Sequence, residues 1–571
     1  ATHLQKGGVG TALGAALLAH ANDTEVLRTA CDALHNLAAH EPVRGLLVKG
    51  DGVGGALVAA LHSNAANGEV MCTVCATLQN LAAAADHAQM LYCDGCGAAV
   101  IAALQRHVAS AEVAAAACSA VQNLALAEAN RCGLVRDGAG TAVVAALQRH
   151  AADTSVCAAG CGVLRNLTAC NDGRDTLLAF DGSDGCVAAA VAVLRRHIDN
   201  ALVAQAALYS LWNFSVKEAT RVPMVRDHGA AAAIVAALPR HASNVEVARV
   251  ACGTLRNLAV GDSCTLLVDV VGVGNAVVAA LQQHVSDAGV AMAGGWFMRH
   301  LAAVEAGRAL LTRDATAGAA VVAVLKKHVG NAAVANAALE ALCNISSQKA
   351  ICTPLDCDHD AGAAIVAALQ RHADNVEVAR AACSTLRNLG AAKGARGRLV
   401  RVANIGVALV AALQRHDSAV EVATAACWTL RHVASMEDGR ALLGRDNSAG
   451  AAVVAVLRQH AGNVLVVQAA LAVLQHISLD AAACVPLVRD HGAAAAVAAA
   501  LLLHADNVVV ARAACSTIKN LSTPPGTWEL LVRDASVVDA VVAALQRHTS
   551  DAEVVIGGCA TLCYVAEVDA G

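Results

Sequence analysis

One pattern recurs along almost the whole of this 571-residue chain, and it excludes most of the ways such a length can fold. A Leu-Gln-Arg-His type segment is followed by a Leu-Arg-Asn-Leu type segment, and the pair then repeats. The first marker ends at His20, His62, His107, His150, His197, His241, His284, His328, His372, His416, His460, His504 and His548. The spacing is 42 to 47 residues and settles to 44 from His284 onward. The second marker keeps step at Asn36, Asn80, Asn123, Asn166, Asn213, Asn257, His300, Asn344, Asn388, His432, His476, Asn520 and Tyr564. One unit of this size cannot bury its own apolar face, so a fixed period in the forties implies copies stacked in series.

Composition agrees with a helical stack. The chain is 57% hydrophobic but only 2% aromatic, so its apolar surface is mostly small and aliphatic. Ala and Leu favour helix, and small side chains let helices approach closely. Residues 361–404 show one unit. A helical spacing of Ile365, Val366 and Leu369 ends at His372, and a second runs from about Val376 to Leu389 through Val378, Ala382, Cys383 and Leu386. The linker Ala373-Asp374-Asn375 is short enough to demand an antiparallel hairpin. Asp374 with Glu377 reads as a capping box, and Asp551 with Glu553 as a related pair. After Leu389 a Gly-rich stretch is expected to stop the helix, and Arg398-Leu399-Val400 to open a third. Pro239 is expected to bend its helix, and Gly294-Gly295 to weaken the one that carries Trp296.

Three helices per unit resemble the armadillo repeat. The likeness lies in the Gly-Ala-x-x-x-Val-x-x-Leu opening of the second helix, the Val-x-x-x-Ala-x-x-x-Leu-x-Asn-Leu of the third and the apolar-Arg-Asp piece of the first, as in Leu443 to Asp446. It spans residues 9 to 566. HEAT repeats are the structural rival, and the separate first helix favours armadillo. The resemblance implies an all-α, right-handed solenoid of about thirteen repeats running as one superhelix over residues 1–571. The first repeat lacks its first helix, and both ends are expected to need cover from further sequence or partner subunits.

Counting back from the second marker, positions 0, −1, −4 and −8 share a face of the third helix. In armadillo proteins that helix lines a concave groove, and the Asn at position 0 commonly bonds an extended peptide. The resemblance implies this role for Asn36, Asn80, Asn123, Asn166, Asn213, Asn257, Asn344, Asn388 and Asn520. The alternative is that each amide fastens one layer to the next. Import adaptors of the importin-α type carry Trp at position −4. Here Trp296 and Trp428 fit, with Tyr209 a third aromatic, while other repeats have Ala76, Ser119, Gly162, Gly253, Ser384 or Ser516, which argues against import cargo. Position −1 holds Arg165, Arg256, Arg299, Arg387, Arg431 and Lys519; position −8 holds Arg28, Arg249, Arg380 and Arg512. Such a stripe resembles the basic groove of β-catenin-like arrays, which receive acidic extended partners; the alternative is pairing with acids on adjacent repeats.

Nothing in the chain stands apart as catalytic machinery. No phosphate loop, Ser/His/Asp set or carboxylate pair lies outside the repeat pattern, so no enzymatic activity and no cofactor are expected. The marker histidines are expected to sit at helix C-termini against the dipole rather than hold metal. Cys93 and Cys96 form a lone CxxC, and Cys352, Cys357 and His359 a loose group, neither with the second ligand pair of a zinc site. Nine of the 22 cysteines, Cys31, Cys75, Cys118, Cys161, Cys252, Cys383, Cys427, Cys515 and Cys559, fall five residues before the marker, where Leu208, Leu339 and Leu471 also occur. They read as core thiols, which points to a reducing, intracellular and cytoplasmic setting, cilium and cytoskeleton included. The net charge of −5 argues against nucleic acid, and no run of 18 apolar residues suggests membrane insertion. The expected function is a scaffold binding other proteins through its groove and terminal repeats. The rival readings are a structural subunit of a large assembly and the regulatory arm of a larger protein.

Overall fold

In a computed structural model, residues 8–49, 52–180, 183–313, 315–444, 447–525, 527, 530–531 and 535–569 are described; Arg445 and Asp446 of the first-helix motif lie outside them. Among the described residues every regular element is a helix. The chain divides into two compact units, residues 1–284 and 285–571. Each is an α-solenoid of the armadillo type, in which third helices pack on third helices and second helices on second helices of the next repeat.

The repeat of residues 361–399 shows why the sequence folds this way. Its second helix is Ala361–Arg371, its third Val376–Ala391, and the first helix of the next repeat is Lys393–Leu399. The third helix begins on Asn375, whose Oδ1 accepts from the N–H groups of Glu377 and Val378 at 3.1 Å. The cap is therefore Asn375 and not Asp374, which instead pairs with Arg415 at 2.7 Å. Asp23, Asn67, Asp153, Asn200, Asn244, Asn331, Asn463 and Asn507 cap their third helices in the same way. Asp551 does cap, through Val554 N–H. Before the second helix one residue takes the left-handed conformation, usually Gly, as at Gly138 with φ 88°, but Asp360, Asn404 and Asn447 in their repeats.

The core is the inner stripe of the third helix. Val378, Ala382, Cys383, Leu386 and Leu389 are 0% exposed, as are Val247, Ala251, Cys252, Leu255 and Leu258 of the other unit. Each such leucine contributes about 1.5–3 kcal/mol of burial. Eight of the nine column cysteines are fully buried; Cys559 is exposed, because no described layer follows its helix, Ala552–Asp569. Burial pushes the Cys118, Cys252, Cys383 and Cys427 thiols up to about 12, so they act as small apolar groups.

One local expectation is corrected. The Gly-rich stretch after Leu389 does not stop the helix, which continues through Gly390 to Ala391, and the next helix starts at Lys393 rather than Arg398. The two glycines before Trp296 do not interrupt Ala288–Ala303: a Cβ at Gly295 would meet Ala337 Cβ at 3.2 Å, so the glycine admits the neighbouring helix. Pro239 lies inside Ala230–Arg240, one residue before its last.

The first helix also depends on a close approach. A Cβ at Gly173, Gly307 or Gly439 would collide with the carbonyl oxygen of Leu167, Leu301 or Val433, six residues earlier at the end of the third helix. Gly439→Ala should lower stability by about 1–3 kcal/mol. Gly397→Ala, where nothing lies within 4 Å of the added carbon, should be neutral or stabilising by up to about 1 kcal/mol. Urea unfolding followed by circular dichroism separates the two; equal midpoints would contradict the close approach.

Candidate functional site: the third-helix face

Most of the Asn column bonds the preceding layer. Nδ2 donates to a main-chain carbonyl one repeat back: Asn123 to Gln79 (2.7 Å), Asn166 to Gln122 (2.8 Å), Asn213 to Arg165 (2.9 Å), Asn344 to Arg299 (2.9 Å), Asn388 to Cys343 (3.0 Å) and Asn520 to Gln475 (3.1 Å). Asn80 reaches His35, by ring and carbonyl, and Asn257 reaches Ser215 Oγ at 3.0 Å. Asn36, in the first described third helix, is exposed. Layer fastening is thus what the amides do within the chain. An amide has further hydrogen-bonding capacity beyond one such bond.

The marker histidines correct the dipole argument. They do stand at the C-cap of the second helix, but the ring reaches back a whole repeat. Nε2 donates to a linker carbonyl, as His107 to Ala65 (2.8 Å), His150 to Val108 (2.7 Å), His372 to Val329 (2.7 Å) and His504 to Ala461 (2.6 Å). That bond fixes the Nε2–H tautomer. What satisfies the C-terminal carbonyls of the third helix is an arginine of the first helix, six residues on: Arg44 to Ala38, Arg131 to Ala125, Arg221 to Ser215, Arg396 to Gly390 and Arg440 to Ala434. Cys352 takes the same post, its thiol donating to Ser346 O at 3.1 Å, so its place in the loose thiol group has a structural reason.

The basic columns are partly neutralised along a diagonal. Position −1 of one repeat, −4 of the next and −8 of the one after meet across three layers. In residues 1–284, Arg165 lies 5.0 Å over the Tyr209 ring, the Tyr209 hydroxyl bonds Glu246, and Glu246 pairs with Arg249. In residues 285–571, Arg299 reaches Glu340 at 3.1 Å and lies 5.2 Å over Trp296. Glu340 also binds Arg380, which holds Glu377 at 3.0 Å and Glu421 at 3.5 Å. The Glu340 side chain is 8% exposed. Glu340 fills position −4, where small or aromatic residues were expected, and the column reading passed over it. The only available signal was the acid itself, since its partners lie 41 residues before and 40 after.

Other members of the stripe stand apart from carboxylates. Arg256 donates to Asn257 Oδ1 at 3.1 Å, and burial lowers its pKa. Among the described residues no ion pair involves Arg387, Arg396 or Arg431. Arg387 is half-buried, Trp428 likewise, and His432 is 8% exposed. Burial first, then Arg396, Arg431, His476 and Arg387, holds the His432 imidazole down to about 4. Burial first, then Arg431, Arg440 and Arg396, also lowers His476, against the raising effect of its bond to Ala472 O. The tryptophans therefore differ: Trp296 belongs to a closed Arg–Glu network, and Trp428 borders an open basic one.

Residues 312–490 match the family model of the LRRK2 armadillo repeat. No curated protein matches the chain. Of solved structures, one from a study of a phosphorylation switch controlling the cadherin–β-catenin interaction covers 97% of this chain and 100% of its own, at TM-score 0.58 and 17% identity. An engineered protein covers 82% of this chain and 98% of its own (TM-score 0.47, 20% identity). A designed armadillo repeat protein in complex with the peptide (KR)4 covers 43% and 98% (TM-score 0.36, 22% identity). The first of these likenesses establishes the armadillo solenoid as the fold.

Glu340→Gln should lower stability by about 1–3 kcal/mol, because it leaves the Arg299 guanidinium without a carboxylate and takes from Arg380 the most buried of its three. Arg415→Gln, at an exposed pair, should change it by less than about 1 kcal/mol. Equal unfolding midpoints for the two variants would show that Glu340 is not the hub described.

Proposed function

We propose that this chain is a non-catalytic interaction scaffold that holds an extended acidic segment of another protein against its third-helix face. Contact is concentrated near Arg387 and Arg431 rather than spread over the whole basic stripe. The observation that carries this reading is the lapse in charge pairing: Arg299, Arg380, Arg249 and Arg512 have carboxylate partners, whereas Arg387 and Arg431 have none among the described residues. A half-buried cation that the chain leaves uncompensated attracts an anionic partner and sets its register. The fold supports the reading, since the β-catenin-related neighbour comes from work on an interaction with cadherin. The half-buried Trp428 offers an apolar surface beside the charges. The buried, high-pKa thiol column suits a reducing intracellular compartment.

A structural role in a larger assembly is the second reading. It is favoured by Leu202, Leu465 and Val509, which are 76%, 61% and 51% exposed at one register position near the start of their third helices.

The double variant Arg387→Glu, Arg431→Glu should weaken binding of a fluorescent alternating Glu/Leu peptide at least about tenfold while leaving the helical signal intact. Arg489→Glu, which disturbs only an exposed pair with Asp490, should not. Unchanged affinity in the double variant would overturn the groove reading and leave the assembly one.

A further inference from the structure

We infer that Arg387, Arg396, Arg431, His432 and His476 form a binding site for one doubly charged oxoanion group of the sulfate or phosphate-ester class. The inference rests on the reading of the third-helix face as a surface for acidic segments and adds the chemistry of one point on it.

The cluster is built by two departures from the repeat. His432 and His476 replace the column asparagine in successive layers. Room for the first imidazole comes from Gly390, where a Cβ would stand 2.9 Å from His432 Cβ and 3.1 Å from its ring. Beside it, Arg431 Nη1 lies 3.4 Å from His432 Nδ1. A guanidinium only donates, so Nδ1 is the acceptor and the ring is neutral in this arrangement. Arg431 Nε is buried with no hydrogen-bond partner. Arg396 donates Nε to Gly390 O at 2.8 Å and turns Nη1 toward Ser435 Oγ at 3.4 Å. His476 donates Nδ1 to Ala472 O at 2.8 Å, which leaves Nε2 to gain a proton.

Among the described residues no carboxylate pairs with the cluster. The groups that act most on His432 are Arg396, Arg431, His476 and Arg387. From the packed elements, Glu437 and Asp438 at the start of Glu437–Gly444 are exposed, Arg440 is engaged on Ala434 O, and Arg415 of Ile405–Arg415 is paired with Asp374. On His432's own helix, Glu421 is held by Arg380. Three guanidinium charges, less the roughly half charge of the helix end that Arg396 caps, leave about two and a half unneutralised. That matches a dianion and exceeds a single carboxylate.

Occupation has a proton consequence with a definite sign. The bound anion offsets the arginine field that, with burial, holds both imidazoles neutral, so each becomes easier to protonate. Affinity for a permanently doubly charged anion therefore rises as pH falls from 7.5 toward 5.5. Sulfate is the suitable probe, because a phosphate ester itself gains a proton near pH 6.

The test is histidine-labelled NMR and calorimetry on the full chain, in sodium sulfate against sodium chloride at equal ionic strength. Sulfate should raise the His432 titration midpoint by about one unit and should bind more tightly at pH 5.5 than at 7.5. His432→Asn with His476→Asn, restoring the residue found in this column elsewhere, should keep binding at pH 7.5 and lose the pH dependence. Arg431→Met should weaken it at both. A His432 midpoint that is the same in both salts, or a pH dependence that survives the double variant, overturns the inference. If the alternating Glu/Leu peptide binds through Arg387 and Arg431 while sulfate leaves His432 unmoved, the scaffold reading stands and this one falls. If sulfate binds as described and the peptide does not, the oxoanion site stands and the scaffold reading falls. A phosphoserine form of the peptide that binds more tightly than sulfate identifies an ester on a segment as the source; equal binding identifies a free oxoanion.

Discussion

Each layer is held to the one before it by side chains that donate hydrogen bonds to backbone carbonyls a full repeat away. A stack of Ala, Val and Leu surfaces has ample apolar area but little to fix how far one layer turns or slides, because hydrophobic attraction has no direction. Direction comes at three heights. The marker histidine binds the linker, as His416 does Ala373. A buried hydroxyl binds the middle of the third helix, as Thr77 does Cys31 and Thr429 does Cys383. The column asparagine binds near the helix end.

That arrangement decides what is left for a partner. Asparagine Nδ2 is largely committed to fastening, so the face does not offer an amide ladder in the simple sense. Much of the basic stripe is committed as well, through Glu246 and Glu340. Recognition is therefore concentrated where the pattern lapses. Arg387 and Arg431 have no carboxylate partner among the described residues, and in the layer of Arg431 the column amide has become the imidazole of His432.

What could be read from the residues divides along a physical line. Three helices per repeat, the buried cysteine column and the positions of the third-helix caps within a residue follow from local preference and period. The cap is Asn375 and not Asp374 because the helix begins at Val376 and the N-cap is the residue immediately before it. Gly390 suggested a break and Gly295 a weakened helix, yet both admit a neighbouring layer, Gly390 beside His432 and Gly295 beside Ala337. Glu340 was invisible as a hub because its two partners belong to other repeats and other columns. The state of His432 was also hidden, since it depends on burial and on an arginine from the first helix.

The amino-acid order alone determined the all-α repeat architecture, the face on which polar columns gather and the apolar character of the thiols. These depend on periodicity and composition, which survive without coordinates. Only the folded molecule decided which arginines are neutralised, where the histidines donate and which layer keeps an open positive charge. Those outcomes depend on distances between residues some forty positions apart, set by how one layer is rotated on the next.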